Sequence, residues 1–367
     1  MSCLESRACA ARSPYCRLVG QLRTTTDEQA VPRLRLHGVD VVRGLAVVGM
    51  LFVDNRGNAL ITPQFVHAPW DGLRVADVVF PVFLLVVGVS MPFSSRAGRP
   101  RAVLWRVAKL VLLGIVIITA KYGIGSVGAG VLGHIAGAYL LCWLLLRLPE
   151  RVQLPVATGV LAVISAVQLL LPVPGVGRAV ADPDASWAHW FDQAVGLGFS
   201  AEGPHSYLPS AVTVFIGVLA GRVLKAHPGR DAVPRLLAPA VGLIALGLLL
   251  SPAIGINKRL WSPTFVLVTG GIGLLAIVAA HWLVDLRGVR RPFRPAEVMG
   301  MNAIVAFAGS ELLFRAALGD DVQPWIVDGM SALTSPTVAA YLYPAATIVV
   351  VWAVCEVLAR RGIVVRI

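Results

Sequence analysis

His67-Ala-Pro-Trp-Asp-Gly-Leu-Arg-Val-Ala-Asp-Val-Val-Phe80 joins two apolar runs, Val39 to Val53 and Val75 to Met91. With the first run extended slightly at its ends, both read as membrane-crossing helices. An imidazole and a Trp-Asp-Gly turn then sit at the membrane face, and Asp77 lies just inside the second helix. Ionisable groups at that depth are expensive and usually functional. The rest of the chain is read outward from this junction.

The chain has 367 residues, 57% of them hydrophobic and 14% charged, with a mean hydropathy of +0.76. An ordinary soluble domain carries roughly 25% charged residues. The composition therefore predicts an all-α, polytopic helical bundle in a membrane. Windows of about 20 apolar residues give ten candidate spans. After the two already named they fall near 102–120, 129–147, 152–171, 209–225, 236–250, 261–284, 296–318 and 337–358. Residues 38–367 form this transmembrane domain. Residues 1–37 hold six arginines and no apolar h-region, so they read as a poorly ordered cytoplasmic tail and not as a signal peptide.

A net charge of +12 and a pI near 10.2 raise the question of nucleic acid. The basic residues, however, fall in short clusters between apolar runs, as the positive-inside rule requires without any polyanionic partner. If both termini are cytoplasmic, only Arg56, Arg74, Lys121, Arg178, Lys258, Arg259 and Arg315 of the 32 Lys and Arg lie outside. Asp182, Asp184, Asp192, Asp320, Asp321 and Asp328 fall outside with them. This bias predicts a multi-pass cell-membrane protein with both termini inside and His67 outside. Cys3, Cys9, Cys16, Cys142 and Cys355 show no metal or disulfide spacing, and the histidines are dispersed, so no metal site is expected.

Several polar residues break the apolar pattern. Asp40 and Arg43 are three apart and share a helix face, either as an ion pair at the inner leaflet or as a phosphate contact. His67 has Asp54, Asn55, Asp71 and Asp77 as company, and an imidazole oriented by a carboxylate or amide is the usual base in acyl transfer. No G-x-S-x-G motif supports a serine hydrolase. Ile256-Asn-Lys-Arg-Leu-Trp-Ser-Pro-Thr-Phe265 puts Lys258 and Arg259 on the side the charge bias disfavours, which calls for an acidic partner or ligand. Asn302, Glu311 and Glu356 sit within apolar runs, where hydrogen-bonding between helices accounts for most such residues. The loop 172–209, with Trp187, His189, Trp190, Asp192, His205 and Tyr207, reads as an interfacial amphipathic segment or as a sugar-stacking face.

Taken in order, Val39-Asp-Val-Val-Arg-Gly44, the His67 to Pro81 segment, Gly130-Val-Leu-Gly-His-Ile-Ala-Gly-Ala-Tyr139, Tyr207-Leu-Pro through Leu219-Ala-Gly-Arg222, Ile256 to Trp261, and Gly300-Met-Asn302 with Ser310-Glu-Leu312 resemble the transmembrane acetyltransferase family of heparan-α-glucosaminide N-acetyltransferase. The resemblance implies that acetyl-CoA binds from the cytoplasmic side and that its acetyl group passes to an amino sugar across the membrane. The family's catalytic histidine falls on His67. Its asparagine at the outer end of the first span falls on Asp54 or Asn55, because this chain reads Val-Asp-Asn where relatives read Val-Asn. Gly133-His134 stands where relatives commonly carry Gln-Arg.

The expectation is a membrane acetyltransferase using acetyl-CoA and a sugar amine or hydroxyl. His67, Asp54, Asn55 and Asp77 are the catalytic candidates. Asp40, Arg43, Trp70, Asp71, His134, Lys258, Trp261 and Asn302 are candidates for donor or substrate contact, with the His134 ring expected to face the bundle interior. The alternative is a proton-coupled transporter or flippase, which would show inverted repeats or paired broken helices; neither is visible in the sequence. A homodimer stays open as an assembly.

Overall fold

The computed structural model describes residues 36–95, 97–124, 126, 128–177, 185–196, 200–317 and 319–365. Nearly all of the basic tail lies outside these residues, as do Arg96, Arg178, Asp182 and Asp184. The regular elements of the described residues are helical. In chain order they are α1 (His37–Asp54), α2 (Val75–Ser90), α3 (Pro100–Tyr122), α4 (Gly130–Leu145), α5 (Glu150–Leu170), α6 (Trp187–Ala194), α7 (Tyr207–Ala226), α8 (Ala232–Ile254), α9 (Pro263–Ala280), α10 (Arg294–Met301), α11 (Ala303–Ser310), α12 (Gly319–Leu333) and α13 (Pro336–Arg360). Wider π-helical turns continue α9 over His281–Leu286 and α11 over Glu311–Ala317.

Local chemistry sets several helix starts. Ser262 caps α9 by accepting from Phe265 N at 3.3 Å, and Ser335 caps α13 by accepting from Val338 N at 3.2 Å. A proline follows each cap, where its fixed φ suits the first turn and its missing N–H costs nothing.

Among the described residues, seven helices are long and apolar enough to cross a membrane: α2, α3, α5, α7, α8, α9 and α13. The α10–α11 pair, bent by 72° at Asn302, makes an eighth if counted as one span. The sequence suggested ten. The two remaining segments form helices as expected, but α1 carries Asp40, Arg43 and Asp54 within 18 residues, and α4 is only 16 residues long. Helix α12 was not anticipated.

Burial sorts the helices into a core and a rim. About seven-tenths of the α2, α7 and α9 windows is buried (72%, 67% and 72%), against 22%, 17% and 17% for α3, α5 and α8. The core helices touch backbone to backbone. A methyl group built on Gly88 would overlap the Val214 carbonyl, and one on Gly217 would overlap that of Leu85, so α2 and α7 approach as only glycine allows. Gly44 and Gly300 do the same for α1 and α10.

Replacing Gly217 by leucine should therefore force these helices apart, at a cost of about 1–3 kcal/mol or more. Gly242 on α8 has open space around it, and Gly242→Leu should be nearly neutral. Melting temperatures of the two variants in detergent test this pairing.

Candidate active site

The carboxylate of Asp77 anchors the site. Asp77 occupies the third position of α2 and is fully buried. Its Oδ2 accepts from the backbone N–H groups of Ala68 and Arg74, both at 3.1 Å, closing the loop onto the helix start. That is the carboxylate half of a capping box, and the helix N-terminus favours its negative charge. Asp77 Oδ1 is left for the His67 ring, with Nδ1 at 2.8 Å. A carboxylate only accepts, so the ring hydrogen sits on Nδ1 and Nε2 keeps its lone pair.

Lys258 lies over the His67 ring. Its Nζ lies 3.1 Å from His67 Nε2 and 3.3 Å from Nδ1. The two loops are also joined through Asp71: Asn257 Nδ2 donates to Asp71 Oδ1 at 3.2 Å, and Gly72 N donates to Ile256 O at 2.8 Å. The His67 ring stays 44% exposed, which leaves it open to a reactant. Trp70 is half-buried in the same loop.

The other candidates divide into three groups. Trp261 and His134 lie in the interior beside Phe80, with ring centroids 4.7 Å apart. His134 is fully buried, its Nε2 2.5 Å from Ser210 Oγ and its Nδ1 3.3 Å from Ser206 Oγ. Asn55 is buried and donates to Leu51 O at 2.8 Å and Ser310 Oγ at 3.0 Å, whereas Asp54 is half-buried at the end of α1. The third group is at the opposite end of α1 and α2. There Arg43 pairs with Asp40 at 2.6 Å and donates to Ser90 Oγ at 2.7 Å and Gly300 O at 3.3 Å. Asn302 is bonded to the C-terminal segment, with its Oδ1 accepting from Val365 N at 2.9 Å.

Thirteen residues separate Asp77 from Ser90, so the His67 and Arg43 ends of α2 stand about 20 Å apart. Against the middle of α2 lies a small apolar cavity lined by Met50, Phe83, Val87, Leu110, Ile135 and Phe307. Arg106 also lines it, and its Nε is buried without a hydrogen-bond partner.

A feature not read from the sequence is a second His–Asp pair in the long segment between α5 and α7. Asp192 on α6 is buried, with Oδ2 2.8 Å from His205 Nδ1. The sequence reads this loop as an interfacial amphipathic segment or a sugar-stacking face, yet both residues turn inward, while Trp190 remains 40% exposed. No motif spacing marks such a pair; the signal was an aspartate within an otherwise amphipathic helix.

Fold and site together define a multi-pass helical membrane protein with a His–Asp–Lys cluster at one end of its core helices. The family model for "heparan-alpha-glucosaminide N-acetyltransferase, catalytic" matches residues 35–250, more than half of the chain, and the chain belongs to that family. Two relatives named heparan-alpha-glucosaminide N-acetyltransferase are each 26% identical to it. The Mus musculus protein aligns over 356 residues, 76% of this chain and 54% of its own length. The Homo sapiens protein aligns over 373, covering 80% and 55%. The chain thus spans about half the length of the curated relatives it matches.

Proposed function

We propose that this protein is a membrane acetyltransferase that moves an acetyl group from cytoplasmic acetyl-CoA to the amine or hydroxyl of a sugar on the other side. The observation that carries this reading is the His67 ring: Asp77 holds one nitrogen and the other keeps its lone pair at an exposed edge. Family membership supports the reaction class. The basic clusters support ten spans with both termini cytoplasmic, which puts Arg43 at the donor's entry side and His67 at the acceptor's.

In this reading Arg43 meets the donor's phosphates, exchanging its contacts with Asp40 and Ser90 for them. The pantetheine arm passes through the core beside the apolar cavity and Arg106 and brings the thioester to His67. His67 Nε2 then takes the proton of the acceptor N–H or O–H as the acceptor attacks the thioester carbonyl carbon. The Lys258 ammonium faces the oxyanion that forms. When the C–S bond breaks, the imidazolium returns the proton to the departing thiolate, giving acetylated sugar and free CoA. If His67 attacks first, the same atoms balance through an acetyl-imidazole, which the acceptor then opens. Labelled acetyl retained on protein denatured rapidly near neutral pH without acceptor marks that route. Asn55 and His134 line the acceptor end from inside the bundle.

Purified protein should release free CoA from acetyl-CoA when an amino sugar is added. Solute movement with no CoA release would favour the transporter reading. Lys258→Met should lower kcat about 100- to 1,000-fold, the usual loss for one oxyanion donor, with little change in donor KM. Steady-state rates at saturating donor check this.

A further inference from the structure

The loop carrying Lys258 is held from two sides. On one side are the bonds to Asp71 and Gly72 described above. Within the loop, Asn257 Oδ1 accepts from Leu260 N at 3.0 Å, and Trp261 N donates to Lys258 O at 3.1 Å. Trp261 is also the one non-glycine residue with positive φ, at 49°, among the described residues. A bulky side chain holds that conformation only where its surroundings impose it. On the other side stands His205. Its Nε2 is 2.8 Å from the Arg259 carbonyl, and its Nδ1 is bonded to the buried Asp192. Asp192 Oδ1 also accepts from His205 N at 3.1 Å.

The carboxylate and the backbone carbonyl bonded to the two His205 ring nitrogens can only accept. Both bonds are made together only when both nitrogens carry hydrogen. The ring is then a cation, and the fully buried Asp192 carboxylate compensates its charge. His67 is built the same way on Nδ1 but not on Nε2, where no carbonyl or carboxylate among the described residues takes a hydrogen and the Lys258 ammonium lies over the ring, near both nitrogens. One ring keeps a lone pair for proton transfer, whereas the other uses both nitrogens to hold backbone.

We propose that Asp192 and His205 form a positioning clamp. By holding the Arg259 carbonyl it sets the neighbouring Lys258 against His67. The proposal rests on the reading that Lys258 serves acetyl transfer at His67. His205 touches no reacting atom and acts through Lys258.

The test combines hydrogen exchange with a double-mutant cycle on the full-length protein in detergent. His205→Phe fills the same space without either bond, and Asp192→Asn removes the compensating charge while keeping an acceptor. Amide exchange over 256–261 should quicken at least about tenfold in both variants, while exchange over 75–90 stays put. In the rate assay His205→Phe should lower kcat about tenfold in the wild-type background and less than about twofold in Lys258→Met, because coupled residues are not additive. Donor KM should not move. Unchanged exchange over 256–261, or equal fold losses in both backgrounds, would overturn the clamp. Hydrogen exchange reads the clamp even in protein that transfers no acetyl, so the failure of the reaction assignment is distinguishable from failure of the clamp. If His205→Phe does not fold, Asp192→Asn carries both arms.

Discussion

His67→Ala should abolish acetyl transfer while leaving expression and donor binding nearly intact. The ring is exposed at the end of α2 opposite Arg43 and Ser90, so its loss removes the base without touching the contacts proposed for the donor's phosphates. Losing one general base typically costs about 100- to 10,000-fold in rate, and more if the imidazole itself carries the acetyl group. The fold should survive, because the loop is also secured by Ala68 N, Arg74 N and Gly72 N. Donor affinity by equilibrium binding and turnover by CoA release separate the two effects. Turnover within about tenfold of wild type would remove His67 from the chemistry.

Asp77→Asn should be nearly as damaging, for a different reason. The amide oxygen can still accept from Ala68 N and Arg74 N, so the start of α2 remains capped. The amide nitrogen then faces His67 Nδ1 and donates to it, which moves the ring hydrogen to Nε2. The base is present in the wrong tautomer, a change worth up to about 10,000-fold in the serine-protease triad. We expect a loss of about 100- to 10,000-fold in kcat, with the melting temperature almost unchanged. A large drop in melting temperature with modest loss of rate would instead make Asp77 a helix cap and nothing more.

These two residues were legible in the sequence because they are local. They lie ten positions apart, across a loop that ends at a helix N-terminus, and an aspartate just inside an apolar run is conspicuous. Lys258 stands out in the sequence as a cation against the charge bias, but its neighbour does not, since the two lie 191 positions apart. The same holds for His134 with Ser210, 76 residues away, and for Asn55 with Ser310, 255 away. Tertiary packing alone brings such pairs together, and hydropathy carries no record of it. The helices themselves were legible because apolar length is a property of each segment. The bend at Asn302 was not, because its side chain is turned to Val365 at the far end of the chain. The inward turn of Asp192 and His205 was hidden for the same reason.

The central claim is that acetyl crosses from the Arg43 end to the His67 end. It is tested most directly in liposomes holding oriented protein, with labelled acetyl-CoA supplied on the face of the basic loops and an amino sugar confined to the other. The account predicts label on the sugar, none with His67→Ala, and none when donor and acceptor are both placed on the face of the basic loops. Acetylation that proceeds equally well with both reactants on that face, or that persists in His67→Ala, would contradict it.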